Sequence, residues 1–177
     1  MFESYASWVS AHPLHSAAVQ FGLLGTLGDF ISHVLRARRA SGFGSFVEFI
    51  GRMAAWALLG IVIKYGFTGM KGFVAALLEH GFLPAFCGEG ILYAFAVSVV
   101  TNVLFGPQMM LFHRVEDNLV FRRKGFEGMR PALLSLLWFW IPAHTITFSL
   151  PGEFQIGLAA VWSIALGIIL GLARPKR

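Results

Sequence analysis

The stretch WFWIPAHTITFSLP, residues 138–151, decides how many times this chain crosses a membrane. It begins with two tryptophans and then places two prolines, a histidine and two threonines between long apolar segments. It is either a loop or the polar part of a broken membrane helix. Because each span moves the chain across the bilayer, this choice also fixes the side on which the basic C-terminus lies.

The composition of the whole chain indicates a membrane protein. The chain has 177 residues, of which 56% are hydrophobic and 13% are charged, whereas soluble domains contain about 25% charged residues. A soluble domain of this size exposes a large surface to water, and so few charges cannot cover it. We therefore expect one integral membrane domain over residues 1–177. The single cysteine, Cys87, excludes an internal disulfide.

Five apolar segments each approach the roughly 20 residues that a helix needs to cross a hydrocarbon core. They predict an all-α, polytopic membrane helical bundle of about five spans, the fourth of them short and kinked. Residues 1–16 combine aromatic side chains with no Lys or Arg, and we expect them to lie at the membrane interface. The predicted spans are 17–35, 51–71, 91–112, 132–150 and 155–173.

The distribution of charge favours counting residues 132–150 as a span. With five spans, twelve of the fourteen Lys and Arg residues lie on one side of the membrane, and the opposite side has none. Arg52, at the basic-side end of the second span, is counted with that side, and only Lys64 and Lys71 fall deeper within a span. If residues 132–150 formed a loop, the basic C-terminus would move to the acidic side. By the positive-inside rule, we expect the N-terminus opposite the basic side.

The basic loops are predicted to contact anionic lipid headgroups. Clusters of Lys and Arg beside a membrane helix are typical of such contacts and of topology signals, and we do not expect a nucleic-acid partner. The residues concerned are Arg36, Arg38 and Arg39 in one loop and Arg122, Arg123 and Lys124 in the next basic loop.

Glycines recur at helical spacing in the first two spans. Small residues let helix backbones approach closely in lipid, so this spacing is typical of helix packing. A second interpretation is that the glycines line a permeation path. The glycines expected at helix contacts are Gly22, Gly25 and Gly28 in the first span and Gly66 and Gly69 in the second.

Polar side chains inside the predicted spans are the candidate functional residues. Such groups are costly in a membrane and usually face the bundle interior or a wet cavity. A rise of about 1.5 Å per residue puts Lys64, Asn102 and His144 close to mid-membrane, with Asp29 nearer the basic side. We therefore expect one shared polar cluster or pore lining, consisting of Asp29, Lys64, Asn102, His144 and Thr147.

Two members of this cluster have simpler interpretations. Lys64 can extend toward the outer headgroups, and Asn102 can satisfy a carbonyl that Pro107 leaves free. Asp29 needs a partner, for which Lys64, Arg52 and backbone donors are available.

Two prolines, Pro107 and Pro142, are expected to kink the third and fourth spans. Proline lacks an amide hydrogen and leaves the carbonyl four residues earlier without its helical partner. His144, Thr145 and Thr147 follow Pro142 closely enough to satisfy such groups or to face the bundle interior.

The sequence has no pattern typical of an enzyme or a metal site. The six histidines lack paired ligand spacing within a span. Asp29, His144 and a serine could form a triad on paper, but their spacing does not support one. We therefore expect no catalytic residues, no metal and no cofactor.

Three stretches together resemble a known family. They are YASWVSAHPLHSAAVQFGLLGTLGDFISH (5–33), TNVLFGPQ (101–108), and residues 138–151 continuing into VWSIALG (161–167). Their order is similar to that of the Mpv-seventeen and peroxisomal membrane protein twenty-two family, small multi-span proteins of mitochondrial inner and peroxisomal membranes. The residues that match the family motifs are Asp29, Asn102, His144 and Thr147.

This resemblance implies a channel-forming or channel-modulating protein that passes small solutes through a narrow bundle. It also implies a location in the mitochondrial inner membrane or, alternatively, the peroxisomal membrane. The competing hypothesis is a non-catalytic accessory subunit of a larger membrane complex of respiratory type, or a homo-oligomer. The eighteen phenylalanines suit broad apolar contact with such partners.

Overall fold

The structure is a computed structural model that describes residues 2–37, 43–120, 122 and 124–172, with only the backbone given for 36, 37 and 166–172. Within these ranges every regular element is helical and no strand occurs. The α-helices are α1 (Phe2–Ala11), α2 (Pro13–Ala37), α3 (Phe46–Glu79), α4 (Gly90–Val100), α5 (Gly106–Val120), α6 (Met129–Ser135), α7 (Ile141–Phe148) and α8 (Gly152–Leu172).

Four stretches of the described chain are helical, long and apolar enough to cross a membrane. They confirm the all-α class and fit an integral membrane protein. The fifth predicted span, 155–173, falls largely within α8, but its last residue lies outside the described chain and its side chains are described only to residue 165. The four stretches are Pro13–Leu35, Phe46–Glu79, Gly90–Val120 and Met129–Phe148.

Local sequence signals explain where the first helices begin and end. Pro13 occupies the first position of α2, where its missing amide hydrogen costs nothing. Ser45 and Glu48 form a reciprocal capping box before α3, with Ser45 N donating to Glu48 Oε2 at 2.7 Å. The helix ends at Glu79, and Gly81 follows with a φ of +70°, a left-handed conformation that suits glycine.

Two π-helical turns interrupt the third and fourth membrane-length helices. The first π turn, Thr101–Phe105, joins α4 to α5, and the second π turn, Leu136–Trp140, joins α6 to α7. Pro107 and Pro142 each occupy the second position of the α-helix that follows a π turn. Kinks were expected at these prolines, and the structure has a π turn on the N-terminal side of each proline.

The segment quoted at the outset is helical as far as Phe148. α7 ends there, Pro151 precedes α8, and within residues 138–151 the only non-helical residues are 149–151. The fourth predicted span, 132–150, is thus a helix with an internal π turn and not a loop trapped between spans.

The described core lies where α2, α3, α4, α7 and α8 meet. α2 packs against α3 on one side and α8 on the other, while α4 packs against α7. The buried cluster consists of Ala17, Phe21, Leu59, Ile63, Phe67, Val74, Ala94, Val97, Phe148, Ile156, Ala159 and Ala160.

Several expected glycines lie at close helix contacts. A Cβ on Gly25 would fall 2.2 Å from the ring of Trp56, and one on Gly66 would fall 2.4 Å from the ring of Phe105. Gly22 and Gly28 face Met53 and Ile164, respectively, each at 3.3 Å.

One expected glycine does not take part in packing, and one that was not expected does. Gly69 has no atom of the described chain within 4 Å of its Cβ position, so it does not belong to a helix contact. It lies on an exposed part of α3, where its spacing from Gly66 carries it away from the neighbouring helix. Gly60 approaches α2 most closely, because its Cβ would lie 2.6 Å from the carbonyl oxygen of Ala17.

Of the basic residues expected to contact lipid headgroups, two are described in full. Arg122 and Lys124 are exposed between α5 and α6. The side chain of Arg36, and Arg38, Arg39 and Arg123 entirely, lie outside the described residues.

Candidate functional site

The polar residues within the bundle form two groups and not the one cluster expected. A charged group contains Asp29, Arg52, Trp56, His113 and Glu116, and a neutral group contains Ser98, Asn102, His144, Thr147 and Trp162. The expectation of one cluster rested on depth along each helix, and depth does not give the face on which a side chain lies.

Asp29 is the centre of the charged group. Its Oδ2 accepts a hydrogen bond from Trp56 Nε1 at 3.0 Å and lies 3.5 Å from Arg52 Nη1. Arg52 in turn lies over the ring of Phe43, with 4.5 Å between its Cζ and the ring centroid. Of the partners considered from the sequence, Arg52 is therefore the one that Asp29 has, and α3 supplies both of these contacts.

α5 brings two further ionisable residues to this group. The His113 and Trp56 rings lie with centroids 4.6 Å apart, and His113 Nδ1 is 3.8 Å from Glu116 Oε2. Sequence reasoning missed both because the third span was expected to end at residue 112. The available signal was their i, i+3 spacing, which puts them on one face of a helix that continues to Val120.

The neutral group centres on a hydrogen bond between Asn102 and His144, both of them buried. Asn102 Nδ2 donates to the carbonyl of Ser98 at 2.8 Å and to Nδ1 of His144 at 3.1 Å. Because an amide nitrogen can only donate, Nδ1 accepts, and the neutral ring carries its proton on Nε2. The first π turn and α7 are thereby joined through their side chains.

Hydroxyl groups complete the neutral group. Thr147 Oγ1 donates to the carbonyl of Ala143 at 2.9 Å and accepts from Trp162 Nε1 at 3.2 Å. Ser98 Oγ donates to the carbonyl of Ile141 at 2.7 Å, beside Pro142. These bonds tie α4, α7 and α8 together without a net charge.

Lys64 joins neither group. It is half-exposed on α3, and within the described chain its ammonium makes no hydrogen bond that brings it to Asp29, Asn102 or His144. Lys71, two turns further along, instead donates to Gln155 Oε1 of α8 and lies 5.8 Å from the ring centroid of Phe148. Lys71 therefore bonds to another helix of the bundle, whereas Lys64, two helical turns earlier on α3, makes no such bond within the described chain.

The two groups lie on one cavity of about 200 Å³. Each of the four membrane-length helices and α8 contributes to its lining. Asp29 and His113 represent the charged group in the lining, and Asn102 and His144 represent the neutral group. Most of the remaining lining is apolar: Phe21, Leu59, Ile63, Phe67, Phe105, Met109, Met110 and Ala159.

Both π turns also contribute to this cavity. Thr101 begins the first π turn and Trp140 ends the second, and both residues line the cavity. Each is buried, and neither Thr101 Oγ1 nor Trp140 Nε1 has a hydrogen-bond partner among the described residues. Neither residue was expected as a site residue, because a free donor is visible only once its neighbours are known.

The N-terminal helix α1 packs onto α2 and α8 near the core. Tyr5 Oη donates to Gln20 Oε1 at 2.7 Å, and the Tyr5 ring stacks on Phe154 with centroids 5.6 Å apart. Burial raises the pKa of Tyr5 above its ordinary value, and the bond to Gln20 offsets this only in part. The phenol is therefore a neutral donor, and the described part of the predicted interfacial segment, residues 2–16, is helical except at His12 and packs against the bundle.

Within the described ranges no three His, Cys, Asp or Glu side chains lie close enough to hold a metal ion. Comparison with protein-family models, with curated proteins and with solved structures found no match. The cavity with its two polar groups is the candidate functional site, and its lining combines a few hydrogen-bonding side chains with a mostly apolar surface.

Proposed function

We propose that this protein forms a narrow channel-type pathway for small, uncharged solutes through its helical bundle. The observation that supports the proposal best is the cavity, because all four membrane-length helices and α8 line it and polar groups lie on it at two places. A path for ions would need more polar groups along its axis than this apolar lining supplies.

The volume of the cavity limits the size of the solute. A cavity of about 150 Å³ accommodates benzene, and pockets for drug-sized ligands begin at about 300 Å³. The cavity of this protein, at about 200 Å³, lies between the two. Solutes of the size of urea or glycerol fit this limit.

The proposed topology and location rest on the sequence. We propose five spans, with the N-terminus opposite the basic side, because this arrangement segregates the Lys and Arg residues. The resemblance to the Mpv-seventeen and peroxisomal membrane protein twenty-two family favours the same function. It also favours the mitochondrial inner membrane or, alternatively, the peroxisomal membrane.

Flux through proteoliposomes tests the pathway. Stopped-flow light scattering should show that glycerol or urea enters vesicles containing the protein faster than it enters protein-free vesicles of the same lipid. Ala159→Phe places a ring in the cavity lining and should reduce the protein-dependent flux at least about tenfold. The matched control is Val161→Phe, which adds the same ring to an exposed position of α8. A flux that equals that of empty vesicles, or that both variants change alike, contradicts the pathway.

Two polar variants then locate the pathway within the cavity. Asp29→Asn removes the charge beside Arg52, and His144→Ala removes the partner of Asn102. Both residues line the cavity, so a solute that passes both groups should respond to both variants. A response to neither would place the flux outside the cavity.

A second candidate function is that of an accessory subunit in a larger membrane complex. The observation that favours it is the exposure of aromatic side chains outside the long helices: Phe82 is 76% exposed and Phe86 69% exposed. Copurification in a mild detergent tests this candidate. Recovery of this chain alone contradicts it, whereas stoichiometric partners that Phe82→Ser and Phe86→Ser together release support it.

A further inference from the structure

Three residues that line the cavity carry a buried polar atom without a hydrogen-bond partner in the described chain. One of these atoms, His113 Nδ1, lies 3.8 Å from Glu116 Oε2, and the other two belong to Trp140 and Thr101. Trp140 is 7% exposed and Thr101 is 1% exposed, and Trp140 Nε1 and Thr101 Oγ1 make no hydrogen bond to any described residue. An unpaired buried polar group costs free energy, so such atoms in a folded chain call for an explanation. Both residues line the same cavity, which points to a ligand there.

The backbone around both atoms is irregular in the same way. Thr101 and Trp140 lie in the two π turns, and these turns contact each other in the bundle. π turns inside α-helices are uncommon and occur frequently at functional sites. Two of them meeting at one cavity, each with a free polar atom, form a built site.

The lining indicates what kind of molecule fits. If water filled about 200 Å³, roughly seven molecules, at about 30 Å³ each, would need two to four polar partners apiece. The lining offers few, because Asn102, His144 and Asp29 already bond to protein groups. An apolar body therefore fits better than a water cluster, and the rings of Phe67 and Phe105 in the lining favour a flat one.

The polar part of the ligand follows from Trp140. An indole N–H donates and cannot accept, so the ligand must present an acceptor. A carbonyl oxygen has two lone pairs and adds no charge. A carboxylate would bring an uncompensated charge into the apolar part of the cavity, which is costly.

We propose that the cavity binds a small, neutral, membrane-soluble ring compound through a carbonyl oxygen that accepts hydrogen bonds from Trp140 Nε1 and Thr101 Oγ1. Such a molecule reaches the cavity from the lipid. The site does not depend on the proposed pathway: a protein without solute flux can still bind this ligand, and in a protein with flux the ligand would obstruct the path.

The five tryptophan indoles provide the test. Trp56 and Trp162 donate to Asp29 and Thr147, Trp8 and Trp138 are exposed, and Trp140 is the buried indole without a partner in the described chain. A ¹⁵N–¹H spectrum of protein labelled at tryptophan, in nanodiscs, should show one indole peak for each. Single Trp→Phe variants assign the peaks, and if Trp140→Phe does not fold, the other four assign it by elimination.

The probes are acetophenone and α-methylstyrene, which have the same shape and ring but differ in a carbonyl oxygen against a methylene group. Both rings displace nearby peaks, so the difference between the two probes isolates the oxygen. We expect acetophenone to move the Trp140 peak downfield and α-methylstyrene not to cause this downfield shift. The peaks of the other four indoles should respond to both probes in the same way.

Thr101→Val and Ala159→Phe complete the test. Thr101→Val removes the hydroxyl with little change in shape and should weaken acetophenone binding about two- to tenfold, with α-methylstyrene binding unchanged. Ala159→Phe should abolish the Trp140 response, and Val161→Phe should retain it. The proposal is overturned if Trp140 does not respond, if both probes move it equally, if all five indoles move together, or if Thr101→Val weakens both probes equally.

Discussion

In the contact between α2 and α3, glycines bring two helix backbones together, whereas in the contact between the two π turns large side chains and hydrogen bonds fill the space. Gly60 meets the Ala17 carbonyl and Gly25 lies against the ring of Trp56. Near the π turns, Leu136 covers Gly106, and Asn102 reaches His144. Close backbone approach leaves no room for change, while a contact made by side chains can enclose a cavity.

The difference also separates the two kinds of polar residue. The α2–α3 contact holds the ion pair of Asp29 and Arg52, and the π-turn contact holds neutral groups. A charge in a membrane needs a fixed partner, and two rigid helices in close contact provide one. A neutral group tolerates a less closely packed environment, in which a donor such as Trp140 can remain free for a ligand.

Gly60→Ala should have the largest effect, because it breaks the α2–α3 contact directly. The new Cβ would lie 2.6 Å from the carbonyl oxygen of Ala17 and 2.7 Å from Cβ of Phe21. Neither is the far end of a flexible side chain, so the helices must separate. We expect a loss of about 3 kcal/mol in the free energy of unfolding, measured by titration with dodecyl sulfate. A loss below that of Asn102→Leu would contradict this ranking.

Asn102→Leu should come next, because it breaks the π-turn contact. It leaves His144 Nδ1 buried without its donor, which costs about 1–3 kcal/mol. A double-mutant cycle with His144→Leu should give a coupling free energy of about 0.6–1.7 kcal/mol. The control is Gln108→Leu, on the exposed side of the same helix. Zero coupling would mean that the two side chains do not act as a pair.

Trp56→Phe should destabilise the protein more than Trp140→Phe does. Both changes shrink a ring, but only Trp56 loses a bond to a carboxylate, that of Asp29. Hydrogen bonds to charged groups contribute about 1.5–3 kcal/mol, and the partial exposure of Asp29 reduces this to roughly 1 kcal/mol. Thermal unfolding of both variants in one detergent measures the difference. Equal losses would show that Trp140 has a partner of similar strength.

Gly69→Ala should have the smallest effect, because it tests a glycine of α3 that lies outside the close helix contacts. Nothing described lies within 4 Å of its Cβ position, and it occupies the interior of α3. Alanine favours a helix over glycine by up to about 1 kcal/mol, so stability should stay the same or rise slightly. The dodecyl sulfate titration used for Gly60→Ala measures it. A clear loss would indicate a contact at this face.

Much of the fold was predictable because membrane spans follow from length and hydrophobicity. The first three predicted segments each lie in a membrane-length helix, and the fourth does so as far as Phe148 and ends near Pro151, as its proline and glycine turn indicated. The close contacts at Gly22, Gly25, Gly28 and Gly66 follow from small residues at helical spacing.

The composition of the site was less predictable, because it depends on the direction in which each side chain points. Asn102 and His144 lie together, but Asp29 pairs with Arg52, and Lys64 joins neither group. Depth could be counted from the sequence, whereas direction requires the register of each helix against its neighbours. The π turns change that register, and no local pattern distinguished them from a kink.

The first π turn has a consequence for the far end of its helix. A ring closed by an i→i+5 bond encloses one more residue than an α-helical ring, and one residue turns an α-helix by about 100°. If Thr101–Phe105 were wound as a regular α-helix with the same number of residues, everything beyond it would therefore be rotated by about that angle. His113 and Glu116 would then turn away from Asp29, although no atom of the charged group had been changed. The one extra residue that this π turn encloses therefore sets the angle at which the two polar groups face the cavity.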